Sequence, residues 1–493
     1  MSRRTLPSLQ YLAMQSLLSN QALAISALED LPVLLFPLLF VEVYARAHTE
    51  MLKALVQAWP FPCLPLGDLA ESPDLETFKA LLDGLDLLLA KKERPSRWKL
   101  QVLDLRNEHP NIWIQGYPSM AQISYPDVLT DKPTESCGSM MTEEQPLMVI
   151  RDLTIKDGAQ NALQAYLLQW ARQRQERVQL CSRKLRILYG SIYKIQKALR
   201  VVRLDSIQEL LVSNFPCQEL LKTFVPYLGH MKNLHILNFS KMCGSFFTSS
   251  SRNGWCSCKF GAQLGQLQHL QELYVHDVCF HYEQPPSILR MLTSLKTLSL
   301  SSCLLSEAHL RFLFQCPCTK QLKHLRLRSL STVCFSLETL LDLLHGVVGT
   351  LETLALEDLA FTDVQLSAIL PALSQCSQLR FFSFYGNHIS MAALKILLCH
   401  TAQMGHLRRG LYPAPLESYY PQNQWPWDIH PERFAQVLAV LAQTLRDMGP
   451  SHKVQICTKF SHYLNKYRFC TLESNGSWLL TEEHLSGLST LSL

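Results

Sequence analysis

The chain has almost no surplus of charge. A formal +5 over 493 residues is too weak and too dispersed for the basic stripe of a dedicated nucleic-acid binder. It also lacks a run long enough to cross a bilayer. Its most apolar stretch, between Asp30 and Glu42, is interrupted by Pro32 and Pro37 and falls short of the roughly 20 residues a spanning helix needs. Arg3 and Arg4 precede an uncharged segment that ends in the leader-like "AISA". Ser8, Gln10, Gln15, Ser16, Ser19, Asn20 and Gln21 nevertheless deny it the continuous apolar block of a secretory leader. Leu9, Leu12, Leu17, Leu18, Ala24, Ile25 and Leu28 recur instead by threes and fours, which predicts an amphipathic helix. Sixteen cysteines are too dilute for a disulfide scaffold. Several sit inside apolar runs such as "LKILLCH", where a free thiol behaves as a small hydrophobe. The expectation is a reducing compartment, cytoplasm or nucleus.

Motifs of catalysis are missing as well. There is no G-x-x-x-x-G-K-[ST], G-x-G-x-x-G, H-E-x-x-H or G-x-S-x-G, so neither catalytic residues nor a cofactor are expected. Cys243, Cys256, Cys258, His276 and Cys279 offer the thiolate and imidazole groups that zinc takes, but a C-x-C pair lacks the usual ligand separation. The "CPC" at 316 to 318 has no matching second half. No metal site is expected.

What the chain does have is leucine in a fixed pattern, within a composition of 47% apolar and 18% charged residues that marks a globular protein. The pattern L-x-x-L-x-L appears as "LQVLDL" at 100, "IQELLV" at 207, "LHILNF" at 234, "LQELYV" at 270, "LKTLSL" at 295, "LKHLRL" at 322, "LETLAL" at 351 and "LRFFSF" at 379. Weaker forms start at Leu185 and Leu407. From 207 onward successive starts differ by 27, 36, 25, 27, 29, 28 and 28 residues, the period of a leucine-rich repeat. The segments after each pattern, such as "FTDVQLSAILPALSQC", open on turn or cap residues and then turn apolar at helical spacing.

Each short strand and helix has too small an apolar face to stand alone, and stacking joins those faces into one core. The expected fold is therefore α/β: a leucine-rich repeat solenoid with parallel strands on its concave face and helices outside, over 97–493. An N-terminal helical segment precedes it over 1–95. Cys303 and Asn387 fall where such repeats hydrogen-bond the turn backbone. The stretch 107–146, rich in Pro, Ser, Thr and Gly, reads as an insertion. The basic run "ARQRQERVQLCSRKLR" reads as a solvated helix face, with a nuclear-import or phosphate-contacting patch as the alternative.

Alternation along the strands puts Leu295, Leu298 and Leu300 inward and Thr297, Ser299 and Ser301 on the concave side. The same parity assigns Glu209, Leu211, Ser213, Asn238, Ser240, Glu272, Tyr274 and His276 to that side. His324, Arg326 and Arg328 follow as a basic rung, then Glu357, Phe381 and Tyr385. Aromatics beside arginines suit a protein-docking surface. Five L-x-x-L-L segments, at 31, 85, 337, 340 and 394, are the kind of helix that lays one face in a receptor groove. In a leucine-rich solenoid they also arise from core packing.

Several stretches resemble one family: "AWPFPCLPLG" (58–67), "ETFKALLDGLDLLLA" (76–90), "RWKLQVLDLR" (97–106), "SFYGNHIS" (383–390) and "LYPAPLESY" (411–419). With the 27–44 stretch they are similar to the PRAME family, the preferentially expressed antigen in melanoma and its relatives. The resemblance implies a leucine-rich repeat horseshoe that serves as substrate receptor of a cullin-RING ubiquitin ligase through Elongin B and C. It also implies links to transcriptional repression, proliferation, differentiation and apoptosis, including action on nuclear receptors or chromatin factors. Elongin-binding receptors carry [S/T]-L-x-x-x-C-x-x-x-[aliphatic], and Ser16, Leu17 and Ile25 match, with Gln21 at the cysteine position. A cullin-facing motif then falls on Leu31, Pro32, Leu35 and Leu39, with Val33 and Leu34 where relatives have a charged pair.

Overall fold

The computed structural model describes residues 9–70, 74–91, 93–108, 111–115, 120, 146–156, 161–188, 191–214, 224, 226–242, 267–278, 294–303, 305, 307–315, 317–330, 336–420, 429–449, 452–461, 466–473 and 476–483. Most of the expected insertion, together with Cys243, Cys256, Cys258 and Cys279, lies outside them. Two compact units divide the chain, Met1–Gln208 and Glu209–Leu493.

The first unit opens with helices α1 (Leu9–Leu18), α2 (Gln21–Ser26), α3 (Phe36–Ala45), α4 (Thr49–Gln57) and α5 (Leu75–Ala90). Leucine spacing predicts one amphipathic helix over the first twenty residues of this stretch, but the structure has two. Asn20 starts the second by accepting a hydrogen bond from Leu23 N at 3.2 Å, and Ser19 Oγ turns back to Ser16 O at 2.6 Å. Short polar side chains compete with the backbone for its own bonds and end helices where they gather. Pro32 precedes a 3-10 turn over Val33–Leu35, and Pro37 sits at the start of α3, where its missing N–H costs nothing.

Helices α4 and α5 meet closely at Gly84, where a Cβ would stand 2.9 Å from Lys53 O. Beside them Trp59, fully buried, packs edge-on against Phe36, Phe40 and Phe61 and donates Nε1–H to Cys63 O at 2.8 Å.

Strands β1 (Cys63–Pro65), β2 (Val102–Asp104), β3 (Leu147–Ile150), β5 (Val178–Cys181) and β7 (Val202–Arg203) pair in parallel in that order. Strands β4 (Leu153–Ile155) and β6 (Lys184–Ile187) pair separately, also parallel. Thus β1 is a strand inside the segment expected to be helical, and "LQVLDL" belongs to this five-stranded sheet. The compact division falls after Gln208 and not between 95 and 97, because residues 97–208 supply four of the strands that β1 needs. The basic run is part helix and part strand. Its Arg174 binds the Asp86 carboxylate with Nε and Nη2.

In the second unit β8 (Glu209–Ser213), β9 (Ile236–Met242), β10 (Glu272–Val278), β11 (Thr297–Ser301), β12 (His324–Arg328), β13 (Thr353–Glu357), β14 (Phe381–Ser383) and β15 (Arg409–Pro413) form one parallel ladder in chain order. This is the leucine-rich repeat solenoid read from the sequence, and Leu295, Leu298 and Leu300 are buried as expected. The seven strands from β8 to β14 each turn out through a residue of positive φ at the same register: Asn214 (60°), Lys241 (51°), Asp277 (51°), Ser302 (52°), Ser329 (49°), Asp358 (51°) and Gly386 (74°).

Asn387 then ties neighbouring turns together. Its Oδ1 accepts from Leu359 N and Phe361 N at 3.2 and 3.1 Å, and its Nδ2 donates to Leu356 O and Phe384 O at 2.8 and 2.7 Å. Cys303 Sγ reaches Val275 O at 3.6 Å in the corresponding place. Helices Glu307–Phe314, Leu337–Val347, Asp363–Gln375, Met391–Ala402 and Pro431–Met448 each pack on the next. The parallel order ends at β16 (Lys453–Ser461). Strands β17 (Lys466–Leu472) and β18 (Trp478–Glu483) return antiparallel, so the ladder is not parallel throughout.

Candidate interaction surfaces

In the first unit, α1 and the turn before α3 leave an apolar groove of about 480 Å³ between them, lined by Tyr11, Ala13, Met14, Leu17, Leu31, Leu35, Leu38 and Leu39. One polar latch bridges α1 and α3. Gln15 Nε2 donates to Glu42 Oε1 at 3.0 Å, and Arg46 Nη2 donates to Gln15 Oε1 at 2.7 Å and pairs with Glu42 at 2.5 Å. Arg97 donates to the carbonyls of Glu29 and Leu31, pinning the turn that carries Leu31. Leu12, Leu34 and Leu38 are 49%, 52% and 39% exposed, far more apolar surface than water favours leaving open.

The structure therefore brings together Leu17 of one expected motif and Leu31, Leu35 and Leu39 of the other. It does not bring Ser16, Gln21, Ile25 or Pro32 into that lining. The break at Ser19 and Asn20 puts Ser16 and Leu17 on α1 but Gln21 and Ile25 on α2, so the ten-residue pattern is not one continuous helix. Tyr11, Met14 and Leu38 line the groove without having been singled out. The α1 spacing contained the signal for the first two, since Tyr11, Met14 and Leu17 stand three apart.

In the second unit, the concave row is open at one end and closed at the other. Tyr274 is half-buried and His276 exposed, with Tyr274 Oη donating to Glu272 Oε2 at 2.7 Å. Burial lowers the His324 pKa below its ordinary value, and its Nδ1 lies 3.0 Å from Thr353 Oγ1.

The basic rung is not a free positive surface. Arg326 Nη2 lies 3.8 Å from Glu357 Oε1, and Arg328 Nε lies 3.4 Å from Asp358 Oδ2. Glu357 and Tyr385, expected to be exposed, are each 1% accessible. The cover is Tyr467 and Phe469 on β17, whose rings stand 5.0 and 6.1 Å from that of Tyr385. Tyr467 Oη donates to Asp358 Oδ2 at 2.5 Å, and Tyr385 Oη to Glu357 Oε2 at 3.1 Å. Arg328 lies over both rings, 5.8 Å from Tyr385 and 5.6 Å from Tyr467, a cation over two π faces. Burial opposes its charge, yet Tyr385, Asp358 and Glu357 hold its pKa above the usual value. Phe381 is half-buried against the same cluster.

Of the five L-x-x-L-L segments, those at 340 and 394 have all three motif leucines buried and that at 85 buries Leu85 and Leu88, whereas that at 337 buries Leu340 and leaves Leu337 and Leu341 half-buried. The segment at 31 buries none of its three, with Leu34 exposed and Leu31 and Leu35 half-buried, and it is a turn rather than an α-helix. Among the described residues no cluster of three or more His, Cys, Asp or Glu could hold a metal ion. None of the helices described is long and apolar enough to cross a membrane.

Both units have known counterparts. Residues 6–113 match the family model of the PRAME N-terminal domain, and residues 147–476 that of the PRAME C-terminal domain. PRAME family member 12 of Homo sapiens is 46% identical over 449 residues, 91% of this chain and 92% of that protein. PRAME family member 8 of Homo sapiens is 44% identical over 462 residues, 93% and 96% of the two chains. Among solved structures, a leucine-rich repeat protein of Leptospira interrogans shares 14% identity over 72% of each chain with a TM-score of 0.33. Two domain models in the expected order, and relatives alike from end to end, place the repeat ladder and the helices before it in one lineage: the chain belongs to the PRAME family.

Proposed function

We propose that this chain is a non-catalytic protein-interaction scaffold, and more specifically the substrate receptor of a cullin-RING ubiquitin ligase. Its first unit docks Elongin B and C with a cullin, and its repeat unit holds the protein to be degraded. One observation carries the reading: the leucines of two separately recognised motifs, Leu17 and the Leu31, Leu35, Leu39 set, line the same apolar groove. A helix laid in such a groove buries apolar surface worth about 25 cal/mol per Å². Because helix α1 ends before Asn20, the proposed contact uses α1, the 31–35 turn and the start of α3 rather than a single helix over 16–25. Substrate contact falls on the open end of the concave row, around Asn238, Tyr274 and His276, because the cover over Tyr385 occupies the other end.

The test is affinity capture of the full chain from cells, with wild type beside Leu38→Asp and Leu17→Asp. Leu38 is partly exposed, so its replacement leaves the fold intact. Loss of Elongin and cullin from both variants is the expected result, and unchanged recovery would refute the reading. The alternative, a transcriptional corepressor engaging nuclear receptors or chromatin factors through an L-x-x-L-L helix, has less support, since the helical copies of that motif use their leucines for packing.

A further inference from the structure

The residues that enter the strands of the second unit share one register row, fixed by backbone hydrogen bonds. Lys323 N donates to Lys296 O at 2.8 Å, Glu352 N to Lys323 O at 2.7 Å, and Arg380 N to Glu352 O at 2.8 Å. Arg408 N donates to Arg380 O at 2.8 Å. The row thus reads Lys296, Lys323, Glu352, Arg380, Arg408, and all four of its cations are exposed. The one acid is already occupied: Lys323 Nζ sits 2.7 Å from Glu352 Oε1, which holds that carboxyl below its ordinary pKa. Lys296 Nζ finds only the neutral Gln271 Oε1, at 3.1 Å. Among the described residues no ion pair joins Arg380 or Arg408 to a carboxylate. Between the two arginines lies a cavity of about 340 Å³ lined by Arg380, Gly405, His406, Leu407 and Arg408.

We propose that this row is a docking strip for an extended acidic segment of a partner protein. Parallel strands lie about 4.8 Å apart, so five of them space the charges over about 19 Å, the reach of about six extended residues at 3.4 Å each. The cavity accepts one carboxylate between two guanidinium forks, whose planar donors match it two bonds at a time. Single-stranded nucleic acid is the poorer fit. It needs aromatic faces interleaved with the charges, and Phe381, the aromatic next to the row, is packed into the cluster around Tyr385. The strip also differs from the concave row, where Arg326 and Arg328 already have carboxylate partners.

The experiment uses the purified full chain and three fluorescent probes: an oligoglutamate peptide, an oligoglutamine peptide of equal length, and a short single-stranded RNA. Anisotropy at low salt should show the oligoglutamate bound and the oligoglutamine not. An R380E/R408E double variant should weaken binding about tenfold or more, as reversal of direct charge contacts does. A K197E/R200E control, which changes net charge equally on exposed residues of the first unit, should leave it within about twofold. Equal loss in both variants, tighter binding of the RNA, or no binding of the oligoglutamate would each overturn the proposal. Circular dichroism verifies that the variants, all at exposed positions, keep their fold.

Discussion

Replacing Asn387 by alanine removes four hydrogen bonds at a position 4% exposed, and the size of the loss can be worked from its partners. The side chain serves Leu359 N, Phe361 N, Leu356 O and Phe384 O, bridging β13 to the turn after β14. A buried hydrogen bond contributes about 1 kcal/mol net, and a partner left unsatisfied costs about 1–3 kcal/mol. The expected loss is therefore about 4 kcal/mol, a large share of the roughly 5–15 kcal/mol that holds a domain folded. Because repeats interact mainly with their neighbours, the damage should be local. Hydrogen exchange at the Leu359 and Phe361 amides should rise sharply, while urea unfolding shifts to a lower midpoint. Asn387→Leu separates the causes: it restores volume without the bonds and should be about as unstable as the alanine variant. If leucine recovers to within about 1 kcal/mol of wild type, packing rather than bonding holds the turn, and the reasoning fails.

Gly386→Ala should destabilise strongly, since φ is +74° and the added Cβ would meet Asp358 Oδ1 at 2.0 Å. Thermal melts should show part of the loss returning in the Gly386→Ala, Asp358→Ala double variant, and no return would place the strain elsewhere. His452 is buried with its Nε2 2.9 Å from Tyr412 Oη, and burial lowers its pKa from 6.5 to about 4. Between those values the unfolded chain binds a proton that the folded chain refuses. This contribution is complete above about pH 6.5 and falls by about 3 kcal/mol as pH drops toward 4. Denaturant titrations across that window should show a flatter slope for His452→Gln, and an unchanged slope would mean another group titrates.

The repeat ladder was legible because its physics is periodic. Leucines two residues apart must face one core, and each strand restates the rule at a nearly constant step. Asn387 was legible for the same reason, as an amide just past a strand of fixed register. The short strand β1 was not, since "PFPCLPLG" looks like a loop until β2 supplies its partner. Nor was the break after α1, because Leu17, Ala24 and Ile25 keep helical spacing across a turn that Ser19 and Asn20 impose. Parity assigned Glu357 and Tyr385 to the correct face of their strands. It could not say what lies over that face, and the cover comes from Tyr467, which meets Asp358 across 109 positions of chain. Leu17, Leu31, Leu35 and Leu39 were each named, but their convergence on one groove depends on a fold between α1 and α3 that no spacing encodes.

The left-handed residue at the end of each strand from β8 to β14 acts as a hinge pin of fixed angle. Strand starts there are 25 residues apart between β10 and β11 and 36 apart between β9 and β10, yet both pairs join with no slip in alignment. The arms between strands are therefore free to differ in length and chemistry, while the row of side chains offered to a partner keeps the same pitch.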